Sequence, residues 1–133
     1  MRVKPFAFFV LAVGTFLVPG PVSAHHGNAA YDSKTLTTLN GTVTDFQFMN
    51  PHSEIYFDVT DAAGKTQKWI AESLGVASLS RSGWTRNMLK PGDQIKVTGN
   101  LARNGSYTMR LARIVLPNGK ELSVERGEDA AGQ

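Results

Sequence analysis

Hydrophobic and polar residues alternate in short stretches along most of the chain, a pattern typical of β-strands with one buried face. The alternation is most regular at Ile55, Phe57 and Val59, which face the opposite way from their immediate neighbours. Turn-forming pairs such as Asn104-Gly105 separate the stretches from one another. The pattern therefore predicts five strands, at residues 36–48, 54–60, 66–72, 94–98 and 107–116.

Residues 73–90 have a different pattern, with apolar side chains spaced three and four positions apart. Gly75 and Gly83 interrupt this segment, which predicts one short helix broken near Gly83. Three strands, a helix and two further strands is the order of a five-stranded OB-like Greek-key barrel. A small open β-sandwich is the alternative. We therefore expect a mainly β domain at residues 36–122, after an extended arm at 25–35 and before a polar, flexible tail at 123–133.

The first 24 residues have the layout of a secretory signal peptide. Arg2 and Lys4 precede an apolar run at residues 5–18, and the small residues Val22 and Ala24 occupy the −3 and −1 positions of a cleavage site. The run is shorter than the roughly 20 residues that a membrane-spanning helix needs, which favours cleavage after Ala24 over an uncleaved anchor. We therefore expect a periplasmic or secreted protein with no stable membrane anchor.

Composition narrows the range of functions. Cleavage would leave 109 of the 133 residues, with 12 basic and 11 acidic side chains, so the cationic excess of a nucleic-acid-binding protein is missing. The chain has no cysteine, and it contains no phosphate-binding loop, nucleophile elbow or zinc-protease motif. We therefore expect a protein that is not an enzyme and does not bind nucleic acid.

The three histidines are the strongest candidates for chemistry. Cleavage after Ala24 would give His25 a free α-amine beside its own imidazole, and such nitrogen ligands suit Cu(II). His52 follows Asn50-Pro51 in a predicted turn and is the natural second imidazole, while His26 is a further candidate. The sequence therefore predicts a metal site at His25, His26 and His52, with copper as the bound ion.

Other interpretations of the same chain stay open. Met49 lies three residues before His52 and adds a thioether of the type that selects Cu(I). OB barrels also bind ligands across their second and third strands. That mode would use Tyr56, Lys68 and Arg110 to hold a small ligand or a periplasmic protein partner without any metal. The ordinary alternative is a frayed His-His terminus, a His52 that only hydrogen-bonds in its turn and a solvated barrel surface.

Several short motifs recur together after residue 24. They are His25-His26, Tyr31-Asp32, Gly41-Thr42-Val43, Asn50-Pro51-His52, Trp69, Gly83-Trp84 and Leu89-Lys90-Pro91-Gly92-Asp93. With this combination the chain resembles a family of small exported bacterial proteins that is classed as a domain of unknown function. The resemblance covers nearly all of the chain after the predicted cleavage site. It implies export and a single compact domain, and it supplies no activity and no catalytic residues.

Overall fold

A computed structural model describes residues 28–124 of the protein. The predicted signal peptide, His25, His26 and the end of the predicted tail lie outside these residues. The elements, in chain order, are a 3-10 helix at Asn28–Ala30, β1 at Thr37–Gln47, β2 at Glu54–Thr60, β3 at Thr66–Glu72, α1 at Val76–Arg81, β4 at Gln94–Leu101, β5 at Thr108–Val115 and β6 at Glu121–Ser123. Within residues 28–124, neither helix has the length and apolar character needed to cross a bilayer.

The strands form a closed barrel. Neighbouring strands pair in the order β3-β2-β1-β4-β5, all antiparallel, and β6 adds to the free edge of β5. A parallel pairing of β3 with β5 closes the barrel and places Ile70 opposite Thr108 and Glu72 opposite Arg110. With the single short helix between β3 and β4, this architecture confirms the predicted OB-like barrel rather than the open sandwich.

The core lies inside the barrel and consists of the inward-facing residues of each strand. Ile55 and Phe57 are fully buried on β2, as the alternation predicts, and Leu79 anchors α1 against the open end of the barrel. Trp69 and Trp84 are also buried among these apolar side chains. Because inward and outward positions alternate along β2 and β3, the intervening polar residues lie on the outer surface of the barrel.

β4 is longer than the sequence predicts, since it continues through Gly99 to Leu101 instead of ending at Thr98. The register with β5 shifts between Thr98 and Gly99, which is a β-bulge. A Cβ atom at Gly99 would lie 2.3 Å from the carbonyl oxygen of Arg110, so only glycine lets the two strands pass this closely. The glycine that suggested a bend therefore marks a bulge inside a continuing strand.

The end of the domain also differs from the prediction, which ended the barrel at residue 122. Ser123 belongs to β6, and both Leu122 and Val124 are buried. β6 spans only three residues, too few for an alternating pattern to be recognised in the sequence. The folded domain therefore reaches at least Val124.

The described part of the N-terminal arm is docked against the end of the β4–β5 hairpin. The backbone N–H of Asp32 donates to the carbonyl of Leu101 at 2.9 Å, and Tyr31 forms an isolated β-bridge with Ala102. The amide of Asn100 donates to the carbonyl of Asp32 at 2.8 Å. The arm therefore has a fixed course across the outer surface of the barrel, and Tyr31 becomes buried.

Candidate functional site

Three side chains meet at the carboxylate of Glu72, the last residue of β3. Nδ1 of His52 lies 2.6 Å from Oε1, and the hydroxyl of Tyr31 donates to Oε2 at 2.6 Å. The side chains of His52 and Glu72 are 46% and 27% exposed, so this group lies at the surface of the barrel. We call His52, Glu72 and Tyr31 the His52 cluster.

The turn that carries His52 is fixed against the start of α1. The backbone N–H of Val76, in the first turn of the helix, donates to Oδ1 of Asn50 at 2.9 Å, so the turn caps the helix. Gly75 allows this contact, because a Cβ atom there would lie 2.6 Å from Oδ1 of Asn50 and 2.8 Å from the carbonyl oxygen of Pro51. The peptide bond between Asn50 and Pro51 is cis. Local packing thus holds the backbone of His52 in a defined place.

Arg110 of β5 lies on the other side of the cluster. It is the register partner of Glu72 across the barrel closure, and its guanidinium carbon is 5.8 Å from the centre of the Tyr31 ring. Its guanidinium also donates to Oδ1 of Asn100 at 3.4 Å. A cation over an aromatic face at this distance is attracted by the ring. Arg110, which the sequence suggested as a ligand-binding residue, therefore packs against Tyr31.

The contact with Glu72 defines the state of the His52 imidazole. An ionised carboxylate only accepts hydrogen bonds, so the neutral imidazole carries its proton on Nδ1 and has a lone pair on Nε2. Within residues 28–124, no side chain or backbone group forms a hydrogen bond with Nε2 of His52. With the side chain 46% exposed, Nε2 is the atom of the cluster that can accept a ligand from outside.

A second carboxylate flanks the cluster on β2. Glu54 lies directly opposite Glu72 in the β2–β3 pairing, and it accepts a hydrogen bond from the hydroxyl of Tyr56. This bond raises the pKa of Tyr56, together with partial desolvation and the negative charges of Glu54 and Asp45. Tyr56, a predicted ligand-binding residue, is therefore half-buried on the outer face and bonded to its neighbour.

Lys68 lies on β3 four residues before Glu72. Its side chain is 86% exposed, and its ammonium group is 3.4 Å from a carboxylate oxygen of Asp58. The structure thus places Tyr56, Lys68 and Arg110 on the outer surface formed by β2, β3 and β5. Each of the three contacts a neighbouring side chain, and Lys68 lies about 13 Å along the strand from the His52 cluster.

Met49 lies in the same turn as His52 and is 42% exposed. The hydroxyl of the buried Ser53 bonds both the N–H and the carbonyl of Met49, each at 3.2 Å, which closes the turn. His25 and His26 lie outside the described residues, which begin two positions after His26. Within the described part of the chain, no group of three or more histidine, aspartate or glutamate side chains is arranged to hold a metal ion.

The sequence did not suggest Glu72 or Tyr31 as site residues. Glu72 ends a strand just before a helix, which suggested a capping role, but Asn50 has that role. Tyr31 is separated from Glu72 by 41 positions and from His52 by 21, so no local spacing relates them. The Tyr31-Asp32 pair, an aromatic residue in an otherwise polar arm, was the only available signal.

The fold and the cluster define a small OB-like β-barrel with an N-terminal arm docked beside a surface histidine. A family of unknown function (DUF6152) matches residues 15–110, which is most of the chain, and the protein belongs to that family. The match includes all members of the His52 cluster and confirms the resemblance seen in the sequence. None of the curated proteins matches the chain.

Proposed function

We propose that the protein binds Cu(II) through the α-amine and imidazole of His25 together with Nε2 of His52. The observation that carries the proposal is the contact between Nδ1 of His52 and the carboxylate of Glu72. Histidines that bind metals generally donate their other ring N–H to a carboxylate or carbonyl, which fixes the tautomer and orients the ring. His52 has this arrangement at a surface position.

The course of the arm supports a role for the terminal histidines. Tyr31 donates to the same carboxylate as His52, so the arm passes directly beside the imidazole. His25 precedes Tyr31 by six residues, which span at most about 20 Å when fully extended. A terminus freed by cleavage after Ala24 is therefore within reach of Nε2. His26 is a further imidazole on the same short segment.

The chemistry of these ligands favours copper. One amine and two imidazole nitrogens form a set that binds Cu(II) more tightly than the other common divalent ions. The thioether of Met49, exposed in the turn of His52, is a soft ligand that suits Cu(I) after reduction. On this proposal the protein is an exported metal-binding protein and not an enzyme, and it functions in the periplasm or outside the cell.

The metal-independent alternative has less support. It requires Tyr56, Lys68 and Arg110 to contact a ligand, yet Tyr56 is bonded to Glu54 and Arg110 packs on Tyr31. A ligand would have to replace both contacts. The alternative predicts that Tyr56→Ala combined with Arg110→Ala abolishes partner binding and leaves metal uptake unchanged.

Copper affinity measured against a competing chelator tests the proposal. The exported, untagged protein is compared with its His52→Ala variant and with a free peptide of sequence His-His-Gly-Asn-Ala-Ala. The proposal predicts that the protein binds Cu(II) at least tenfold more tightly than the peptide, and that His52→Ala removes the difference. Equal affinity of the protein and the peptide would contradict it.

A further inference from the structure

The two oxygens of the Glu72 carboxylate are each bonded to a different donor. His52 Nδ1 lies 2.6 Å from Oε1, and the Tyr31 hydroxyl lies 2.6 Å from Oε2. One donor belongs to the turn before β2 and the other to the N-terminal arm. A single side chain thus joins the imidazole to the segment that leads from the terminal histidines.

We infer that Glu72 and Tyr31 are positioning residues of this site, Glu72 for the imidazole of His52 and Tyr31 for the arm. The inference rests on the proposed copper function. Because the carboxylate accepts from Nδ1, it keeps the proton on that atom and leaves the lone pair on Nε2, where a metal ion is bound. Neither residue touches the metal ion itself.

The contacts around Tyr31 explain how it fixes the arm. Arg103 donates from Nε to the carbonyl of Tyr31 at 2.9 Å, and its backbone N–H donates to the carbonyl of Ala30 at the same distance. Arg110 packs over the ring. The hydroxyl of Tyr31 is therefore held toward Glu72 by both the backbone and the ring, and Asn28 lies only three residues upstream.

Glu72→Gln separates the tautomer from other effects. An amide has one oxygen that accepts and one nitrogen that donates, so it cannot accept from both His52 and Tyr31 as the carboxylate does. If the amide oxygen accepts from Tyr31, its nitrogen faces Nδ1 of His52 as a donor. The imidazole proton then moves to Nε2, which has no lone pair for a metal in that form.

The chain supplies matched controls. Glu54→Gln removes the same charge directly across the β2–β3 pairing, but Glu54 bonds Tyr56 and neither member of the His52 cluster. Tyr31→Phe removes only the hydroxyl and keeps the ring beside Arg110. Thermal unfolding of each variant establishes that the barrel is intact.

Two measurements on the full exported protein test the inference. Nitrogen-15 NMR of the metal-free protein at about pH 8.5, where histidine side chains are ordinarily neutral, reports the His52 tautomer. We expect the Nδ1–H form in the wild type and in Glu54→Gln, and the Nε2–H form in Glu72→Gln. Titration with Cu(II) alone should show affinity about 10- to 100-fold weaker in Glu72→Gln. Tyr31→Phe should lose less and keep the Nδ1–H tautomer.

The outcomes separate the inference from the proposed function. An Nδ1–H tautomer that persists in Glu72→Gln overturns the inference, as does an equal loss of affinity in Glu54→Gln. So does unchanged affinity in Glu72→Gln when His52→Ala weakens binding. A wild-type protein that binds Cu(II) no better than the terminal peptide overturns the copper site, and the role of Glu72 there with it, even where the tautomer responds as expected.

Discussion

Glu72 and Arg110 are register partners in the parallel pairing of β3 with β5, the pairing that closes the barrel. This pairing brings the end of β3 beside the arm, because Arg110 packs on the ring of Tyr31 while Glu72 accepts from its hydroxyl. The His52 cluster is therefore built by barrel closure and is absent from any local segment of the chain. Metal binding that depends on this cluster should require the folded protein.

The contact between Gly75 and the turn of His52 yields the first prediction. Gly75→Ala places a methyl group 2.6 Å from Oδ1 of Asn50 and 2.8 Å from the carbonyl oxygen of Pro51, so the turn must shift. We expect a loss of about 1–3 kcal/mol in the free energy of unfolding, together with weaker Cu(II) binding. Denaturant unfolding and chelator competition measure the two effects.

Asn50→Ala serves as the control for that substitution. Alone it removes the acceptor for the Val76 N–H and should cost about 1 kcal/mol. Combined with Gly75→Ala it also removes one of the two clashing atoms, so the double variant should lose less than the two single losses together. Strictly additive losses would show that Gly75 does not act on the turn through Asn50.

The boundary of the domain can be tested by truncation. A chain that ends after Lys120 lacks Leu122 and Val124, both of which are buried against the core, whereas a chain that ends after Val124 keeps them. The shorter chain should be less stable by about 2–5 kcal/mol, from the exposed apolar surface. The longer chain should unfold like the complete protein. Equal stability of the two truncated chains would mean that β6 adds nothing to the barrel.

The pH dependence of stability has a predicted sign at Tyr56. The hydrogen bond to Glu54 raises the pKa of Tyr56 above its ordinary value of 10.0 in the folded state. Its contribution is therefore complete below about pH 10 and is lost as the pH rises through the folded-state pKa. Ultraviolet titration of tyrosinate should show that Glu54→Gln lowers the pKa of Tyr56. Titration curves of the wild type and the variant that coincide would exclude this bond as the cause.

Much of the fold was predictable because it follows from local patterns. The alternation at Ile55 and Phe57, the turn at Asn104-Gly105 and the changed spacing around Leu79 each depend on neighbouring residues. These patterns correctly gave the central strands and the helix. β6 was missed because three residues carry no periodicity, and β4 was shortened because Gly99 looks like a break until its contact with Arg110 is known.

The site was less predictable than the fold. His52 was identified from its residue type and its position after Asn50-Pro51, and these are local properties. Its partner Glu72 lies 20 positions away, and Tyr31 reaches the same carboxylate only because the closed barrel and the docked arm bring them together. Such contacts depend on tertiary register, which a sequence pattern alone does not specify.

The central claim is a copper ion held by a terminus that begins at His25. Native mass spectrometry of the exported protein, purified without a tag, tests it most directly. The account predicts a chain whose mass begins at His25 and that retains one copper ion, and a His52→Ala variant that loses the ion under the same conditions. A chain that begins elsewhere, or one that begins at His25 and retains no copper on titration, would contradict it.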